Sequence, residues 1–239
     1  MIALLCSVNA EAEQLVRRLE DRNSTVLGEK QFMTGKIDGR PVVLCAGGMG
    51  KVNAAQAATA MAMRYSPDAL IVFGVGGAYP ASGARVGDIA LASREIAGDE
   101  GVLTAQGFQD TSYIGIPLLA LPAATIYNTY PAPEFLFNRT KGALVAVFGS
   151  RVHSGPFVTL STCTGTKLRA QELELQYCGL CENMEGAAAA HVALSHGIPW
   201  LEVRGISNIV EDRDRSKWNI VEAALAAQEA VQTLVRSWA

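Results

Sequence analysis

Three histidines in 239 residues leave little room for imidazole chemistry. His153, His191 and His196 show none of the grouping that a metal site needs, so each reads as a satisfied or surface histidine. Cysteine is nearly as scarce. Cys178 and Cys181 have the spacing of a redox or zinc pair, but no second pair or suitably spaced histidines accompany them, so the cysteines read as reduced. Charge of one sign is missing too: 20 basic residues face 23 acidic ones, with no Lys/Arg cluster. That balance excludes nucleic acid and anionic membrane as partners. No apolar run is long enough for a membrane span. The N-terminus has no basic region before its short apolar run, which reads as a strand and not as a signal peptide. Cytoplasm is the expected location.

What is present suits an enzyme of ordinary composition. An apolar fraction of 49% over this length suffices for one large domain, expected to span residues 1–239. Apolar runs at 2–8, 69–73, 86–92, 152–162 and 198–206 read as strands. They alternate with helical patterns at 10–20, 51–65, about 165–177, 184–196 and 219–237. Gln31–Ile37 and Val42–Ala46 flank the turn pair Asp38-Gly39 and suggest a hairpin whose connection Arg40-Pro41 lengthens. Residues 96–135, with Pro117, Pro122, Pro131 and Pro133, read as loop-rich. The expected fold is a three-layer α/β domain, a central mixed sheet flanked by helices.

Two phosphate-binding patterns fail. Gly50-Lys51 is no P-loop, because Cys45 stands at the leading glycine position and Val52 at the magnesium-binding Ser/Thr position. Gly48-Met49-Gly50 lacks the third glycine of a dinucleotide fingerprint.

The most informative run is Glu182-Asn183-Met184-Glu185-Gly186 leading into Ala187–Ala190, followed by Arg204-Gly205-Ile206-Ser207-Asn208. Met184 and Glu185 open an alanine-rich helix that can press closely on a sheet, so Glu185 is expected to point from a helix N-terminus into a cleft. The second segment ends a buried strand, where ligands collect in α/β sheets.

These segments resemble the purine nucleoside phosphorylase and nucleosidase superfamily. The likeness extends in order through Ile2–Ser7, Asn9–Glu13, Gly47–Ala55, Phe73–Gly77 and Val86–Ile89. Within it, Gly155–Thr159, Ser161–Thr166, the Asn-Met-Glu-Gly helix start and Asn208 resemble the futalosine hydrolases, whereas nucleosidases acting on methylthioadenosine carry Asp at that last position.

The resemblance implies hydrolysis of the N-glycosidic bond of a 6-oxopurine nucleoside, futalosine, with release of hypoxanthine. It implies a nucleoside phosphorylase/hydrolase-like fold, a small-molecule substrate, no metal or other cofactor, and a homodimer whose second subunit completes part of the pocket. Glu11 would be the base that takes a proton from water, with Glu13 as rival; Met184 and Glu185 would hold the ribose. Gly76, Cys163, Thr164, Ser207 and Asn208 would contact the base. Asn208 can accept from a purine imidazole N–H and donate to a 6-oxo group, an arrangement that mismatches adenine. Asn cannot deliver a proton as Asp does, so the group that protonates the leaving base stays open. The 5′ pocket is also open among Phe108, Tyr113, Tyr127, Arg213, Arg215 and Trp218. Another purine nucleosidase, a phosphorylase and a silent nucleoside-binding protein are the alternatives; acids after the first strand disfavour phosphate.

Overall fold

The computed structural model describes residues 1–122 and 124–238. The chain starts with strand β1 (Ile2–Cys6), a 3-10 turn at Asn9–Glu11 and a short helix α1 (Glu13–Arg17). A meander of β2 (Glu20–Leu27), β3 (Lys30–Ile37) and β4 (Arg40–Ala46) precedes α2 (Lys51–Tyr65), then the long strands β5 (Ala69–Ala78) and β6 (Ile89–Ala97). Two small hairpins, β7 (Gly101–Thr104) with β8 (Gly107–Asp110) and β9 (Leu119–Leu121) with β10 (Ala124–Ile126), flank α3 (Thr111–Ile114). Then come β11 (Thr129–Pro131), α4 (Glu134–Phe148), β12 (Val152–Thr159), α5 (Lys167–Tyr177), β13 (Cys181–Asn183), α6 (Gly186–Ser195), β14 (Trp200–Ile209) and α7 (Ile220–Ser237).

Strand alternation sorts the core into two faces. Ala3, Leu5, Val43, Cys45, Leu70 and Val72 pack with Ala57 and Met61 of α2 and with Ala187, Ala190 and Ala193 of α6. Ile2, Leu4, Val42, Leu44, Ile71 and Phe73 pack on the opposite face with Leu15, Leu144, Val231 and Leu234 from α1, α4 and α7. Helices therefore cover both faces of a mixed sheet, as expected.

Part of the sheet closes on itself. β5 pairs with β14, β14 with β6, β6 with β12, β12 with β13, and β13 returns to β5. The other edge of β5 is shared: Ala69–Val72 pair with β1, while Gly77 and Ala78 pair with β13. Between those stretches β1 and β13 part, and the backbone from Phe73 to Gly76 faces a fork. A fork in a sheet leaves main-chain donors that must find other partners.

Several expectations change. The strand expected at 69–73 does not stop at Phe73; β5 runs through the glycines to Ala78. The glycines are there for close approach: a Cβ on Gly76 would sit 2.4 Å from the Cys181 Sγ. The strand expected at 86–92 begins at Ile89, because Gly87 at φ +88° and the Asp88 side chain, which accepts from Arg85 N, make a turn first. Ile37 pairs directly with Arg40, and Asp38 and Gly39 both have positive φ, so that hairpin is tight and Arg40-Pro41 does not lengthen it. The expected helix at 10–20 shrinks to a 3-10 turn and α1. Strands β2 and β13 and helix α4 were not anticipated.

Candidate active site

The fork opens into a cavity of about 300 Å³. Val75, Gly76 and Gly77 line it from β5, Arg204, Ser207 and Asn208 from β14, and Ser7, Val8 and Glu11 from the turn after β1. Thr162, Cys163 and Thr164 close another side, with Glu182, Met184 and Glu185 from β13 and the start of α6. Every site residue expected from the sequence therefore meets here. Trp218 is the one 5′-side candidate among the lining residues; Arg213 stacks on it at 4.7 Å, while Phe108 and Tyr113 line a different surface hollow.

Glu11 is 3% exposed and held by three backbone amides. Its Oε1 accepts from Val75 N at 2.8 Å, and its Oε2 from Ser7 N and Val8 N at 2.9 and 3.1 Å. The donor left unpaired by the fork is thus satisfied by the acid. Gly74 makes room for it, since a Cβ there would lie 2.5 Å from Glu11 Oε1. Glu13 instead faces solvent beside Arg17, so of the two rivals only Glu11 reaches the cavity.

Glu185 stands at the N-cap position of α6, but another residue does the capping. The Asn183 Oδ1 accepts from Glu185 N and Gly186 N at 2.9 and 2.7 Å, which frees the Glu185 carboxylate for the cavity. Glu185 Oε1 then accepts from Gly50 N at 2.9 Å and Oε2 from Arg204 Nη2 at 3.1 Å. The glycine turn before α2 thus gives the Gly50 amide to a carboxylate. Each Glu185 oxygen keeps a lone pair for a sugar hydroxyl.

Arg204 ties the floor together. It donates from Nε to Glu202 Oε1 at 2.7 Å and from Nη1 to Val75 O at 3.2 Å, in addition to Glu185. Behind it lies a second buried acid. A Cβ on Gly186 would meet Glu202 Oε2 at 2.0 Å and Glu95 Oε1 at 2.4 Å, so only a glycine lets the two carboxyls approach. No donor among the described residues reaches Glu202 Oε2 unless Glu95 carries a proton. Burial first, then the Glu202 charge, raises the Glu95 carboxyl well above the usual carboxylate range. We read the pair as sharing one proton, held on Glu95 and directed at Glu202. Thr159 Oγ1 and Asn183 Nδ2 donate to the same Glu95 carboxyl at 2.6 and 2.9 Å.

At the other end of the cavity, a bulge at Ser207 shifts the β14 register and brings Asn208 opposite Gly77. Ser207 Oγ lies 2.8 Å from Asn208 Oδ1 and 3.1 Å from Gly76 O. Asn208 Nδ2 donates to Ile209 O at 3.1 Å, which fixes the amide orientation and leaves one N–H and one lone pair free. Cys163 Sγ sits 3.5 Å from Met184 Sδ, a soft contact on the apolar wall. Among the described residues no cluster of His, Cys, Asp and Glu is arranged to hold a metal ion.

Reading the sequence missed Glu182, Glu95, Glu202 and the cap Asn183. A signal for Glu202 was available: a lone acid inside the apolar strand 198–206 is rarely left unpartnered. Glu182 gave none, being one more acid before a helix.

Known proteins bear on this arrangement. A family model described as the phosphorylase superfamily matches residues 1–237. A futalosine hydrolase from Thermus thermophilus is 34% identical over 188 residues, covering 79% of this chain and 78% of that protein. A 5′-methylthioadenosine/S-adenosylhomocysteine nucleosidase from Geobacillus thermodenitrificans is 32% identical over 208 residues, covering 87% and 83%. The solved nucleosidase from Neisseria meningitidis, in complex with methylthio-immucillin-A, superposes with a TM-score of 0.86 over 99% of this chain and 98% of its own at 22% identity, a likeness of fold. With the fork, the acids around it and these relatives together, the chain belongs to the phosphorylase superfamily and, within it, to the nucleosidases.

Proposed function

We propose that this enzyme hydrolyses the N-glycosidic bond of futalosine, releasing hypoxanthine and dehypoxanthine futalosine. The observation that carries the reading is Asn208, whose amide is oriented by Ile209 O and Ser207 with one donor and one acceptor free. Hypoxanthine offers an acceptor at its 6-oxo group and, once N7 is protonated, a donor beside it. Adenine offers a donor at position 6, and facing two donors across a buried site costs discrimination of order 10⁴. A relative of futalosine-hydrolase name supports the same choice.

The chemistry follows from where charge develops. As the glycosidic bond breaks, its electron pair leaves with the base, which takes up a proton at N7 from solvent water, and the sugar becomes cationic. Glu185 binds the ribose hydroxyls and, with Glu11, supplies negative charge on the sugar side. Glu11 takes a proton from water as the water oxygen bonds to the anomeric carbon. Met184 packs against the ribose, and Cys163, Thr164 and Gly76 border the base.

Water as nucleophile is supported by the absence of a phosphate seat among the described lining residues. The Ser7 and Val8 amides, which could cradle an anion, are both engaged by Glu11. Arg204, the one cation among the described lining residues, is already engaged with Glu185 and Glu202. A homodimer is part of the proposal, since Met49, which lines the cavity, is 62% exposed in one chain; light scattering on the purified protein tests it.

The reading is tested by free base released from futalosine, inosine and methylthioadenosine, with and without phosphate. We expect phosphate-independent hypoxanthine from futalosine, reduced about 10²–10⁴-fold in kcat by Glu11→Gln. Adenine release from methylthioadenosine at a comparable rate would favour the reading carried by the Geobacillus relative, and a need for phosphate would make the enzyme a phosphorylase.

A further inference from the structure

One carboxylate in the cavity has no place in the mechanism above. Glu182 is 9% exposed and lines the base end. Strand register puts it there: Gly77 of β5 pairs with Glu182 of β13 on one side and with Asn208 of β14 on the other. Residues paired across neighbouring strands point to the same face. The absent side chain of Gly77 leaves a slot between them; a Cβ there would meet Asn208 Nδ2 at 3.3 Å and the Glu182 Cγ at 3.6 Å.

Glu182 accepts from Thr164 N at 3.0 Å through one oxygen and from Tyr79 Oη at 3.4 Å through the other, which leaves acceptor capacity on both. An ionised carboxylate has about four acceptor sites. Burial raises the Glu182 carboxyl above its ordinary range, and a further donor from a ligand would offset part of that cost.

We infer that Glu182 is a base-contacting residue that accepts the N1–H of a 6-oxopurine, so that Glu182 and Asn208 grip the two ends of one base edge across Gly77. The inference rests on the 6-oxopurine reading and adds a second, independent discriminator to it. A 6-oxopurine carries hydrogen on N1; adenine has a bare lone pair there, which would face the carboxylate. The two side chains thus test two different atoms. Asn208 tests the group at position 6, and Glu182 adds a test of N1.

The test is calorimetric binding of hypoxanthine, 1-methylhypoxanthine and adenine to the wild-type enzyme and to Glu182→Ala. Wild type should bind hypoxanthine at least tenfold more tightly than either of the others, as expected for a hydrogen bond to a charged acceptor. In Glu182→Ala, hypoxanthine should weaken by about 10- to 100-fold and the gap to 1-methylhypoxanthine should close. Unchanged hypoxanthine affinity in Glu182→Ala, or wild type binding both hypoxanthines equally, overturns the role of Glu182 while the 6-oxopurine reading stands. Equal wild-type affinity for adenine and hypoxanthine overturns both. Equal wild-type binding of the two hypoxanthines overturns the inference without any variant, so a variant that fails to fold does not protect it.

Discussion

At one end of the large sheet, β2 and β3 carry Asp21 and Lys36 into solvent, where the two pair at 2.8 Å with both side chains about half exposed or more. At the other, the closed ring of β5, β14, β6, β12 and β13 encloses Glu95, Glu202 and Arg204, each 2% exposed or less. Both sets bring acids to a base, but the surroundings set opposite energetics. A solvated pair gains little from association because water already screens it. A buried charge has lost its hydration and depends wholly on its partners. In this enzyme the buried set also stands directly behind Glu185, so the ring combines a structural liability with the geometry of the cavity.

The largest expected effect comes from removing the cation. Arg204→Met keeps much of the volume and leaves Glu185 and Glu202 buried without their partner. We expect a loss of about 3–5 kcal/mol in urea unfolding, together with loss of base release. Full stability in that variant would show that water replaces the guanidinium, and would erase the contrast between the ring and the meander.

The same contrast explains what could be read from the sequence. Ile2–Cys6, α2 and the glycine-ended strand β14 are apolar or periodic and were legible as elements. Strand β2 was not, because Glu20–Val26 is polar and exposed on both faces; its pairing to β3 holds it extended, and no buried face imposes alternation. Helix α4 was hidden by the prolines before it, of which Pro133 proves to be its N-cap residue. The segments around Glu11, Glu185 and Asn208 were legible through resemblance. The ring closure was not: β13 is three residues long, and its position beside β5, which aligns Glu182 with Gly77, depends on pairings far apart in the chain.

A smaller effect compares one substitution in two settings. A Cβ on Gly205 of β14 would lie 1.9 Å from Ala223 O, so Gly205→Ala must push α7 off the ring, at about 1–3 kcal/mol. Gly142, inside α4, has nothing within 4 Å of its added Cβ. There the same change should stabilise by about 0.5–1 kcal/mol through helix propensity. Thermal unfolding of the two variants should move in opposite directions, and equal shifts would mean that β14 and α7 are not packed as closely as described.

The last effect is a difference in sign. Glu95 has its native carboxyl raised from an ordinary value of about 4.5, with burial as the first cause. Its contribution to stability is complete below that value. As pH rises the unfolded chain loses the proton while the native pair keeps it, so stability falls by at most about 1.4 kcal/mol per pH unit until the native carboxyl ionises as well. Asp21 runs the other way: its bond to Lys36 lowers it below an ordinary 3.8, so whatever it contributes is present at neutral pH and is lost on acidification through its native value. Urea unfolding followed from about pH 5 to 8 should therefore be flatter for Glu95→Gln than for the wild type, and unchanged in slope for Asp21→Asn, since that window lies above both Asp21 values. If Glu95→Gln retains the wild-type slope, Glu95 is not the proton holder of the pair, and the buried proton must be assigned to Glu202, whose carboxyl burial also raises.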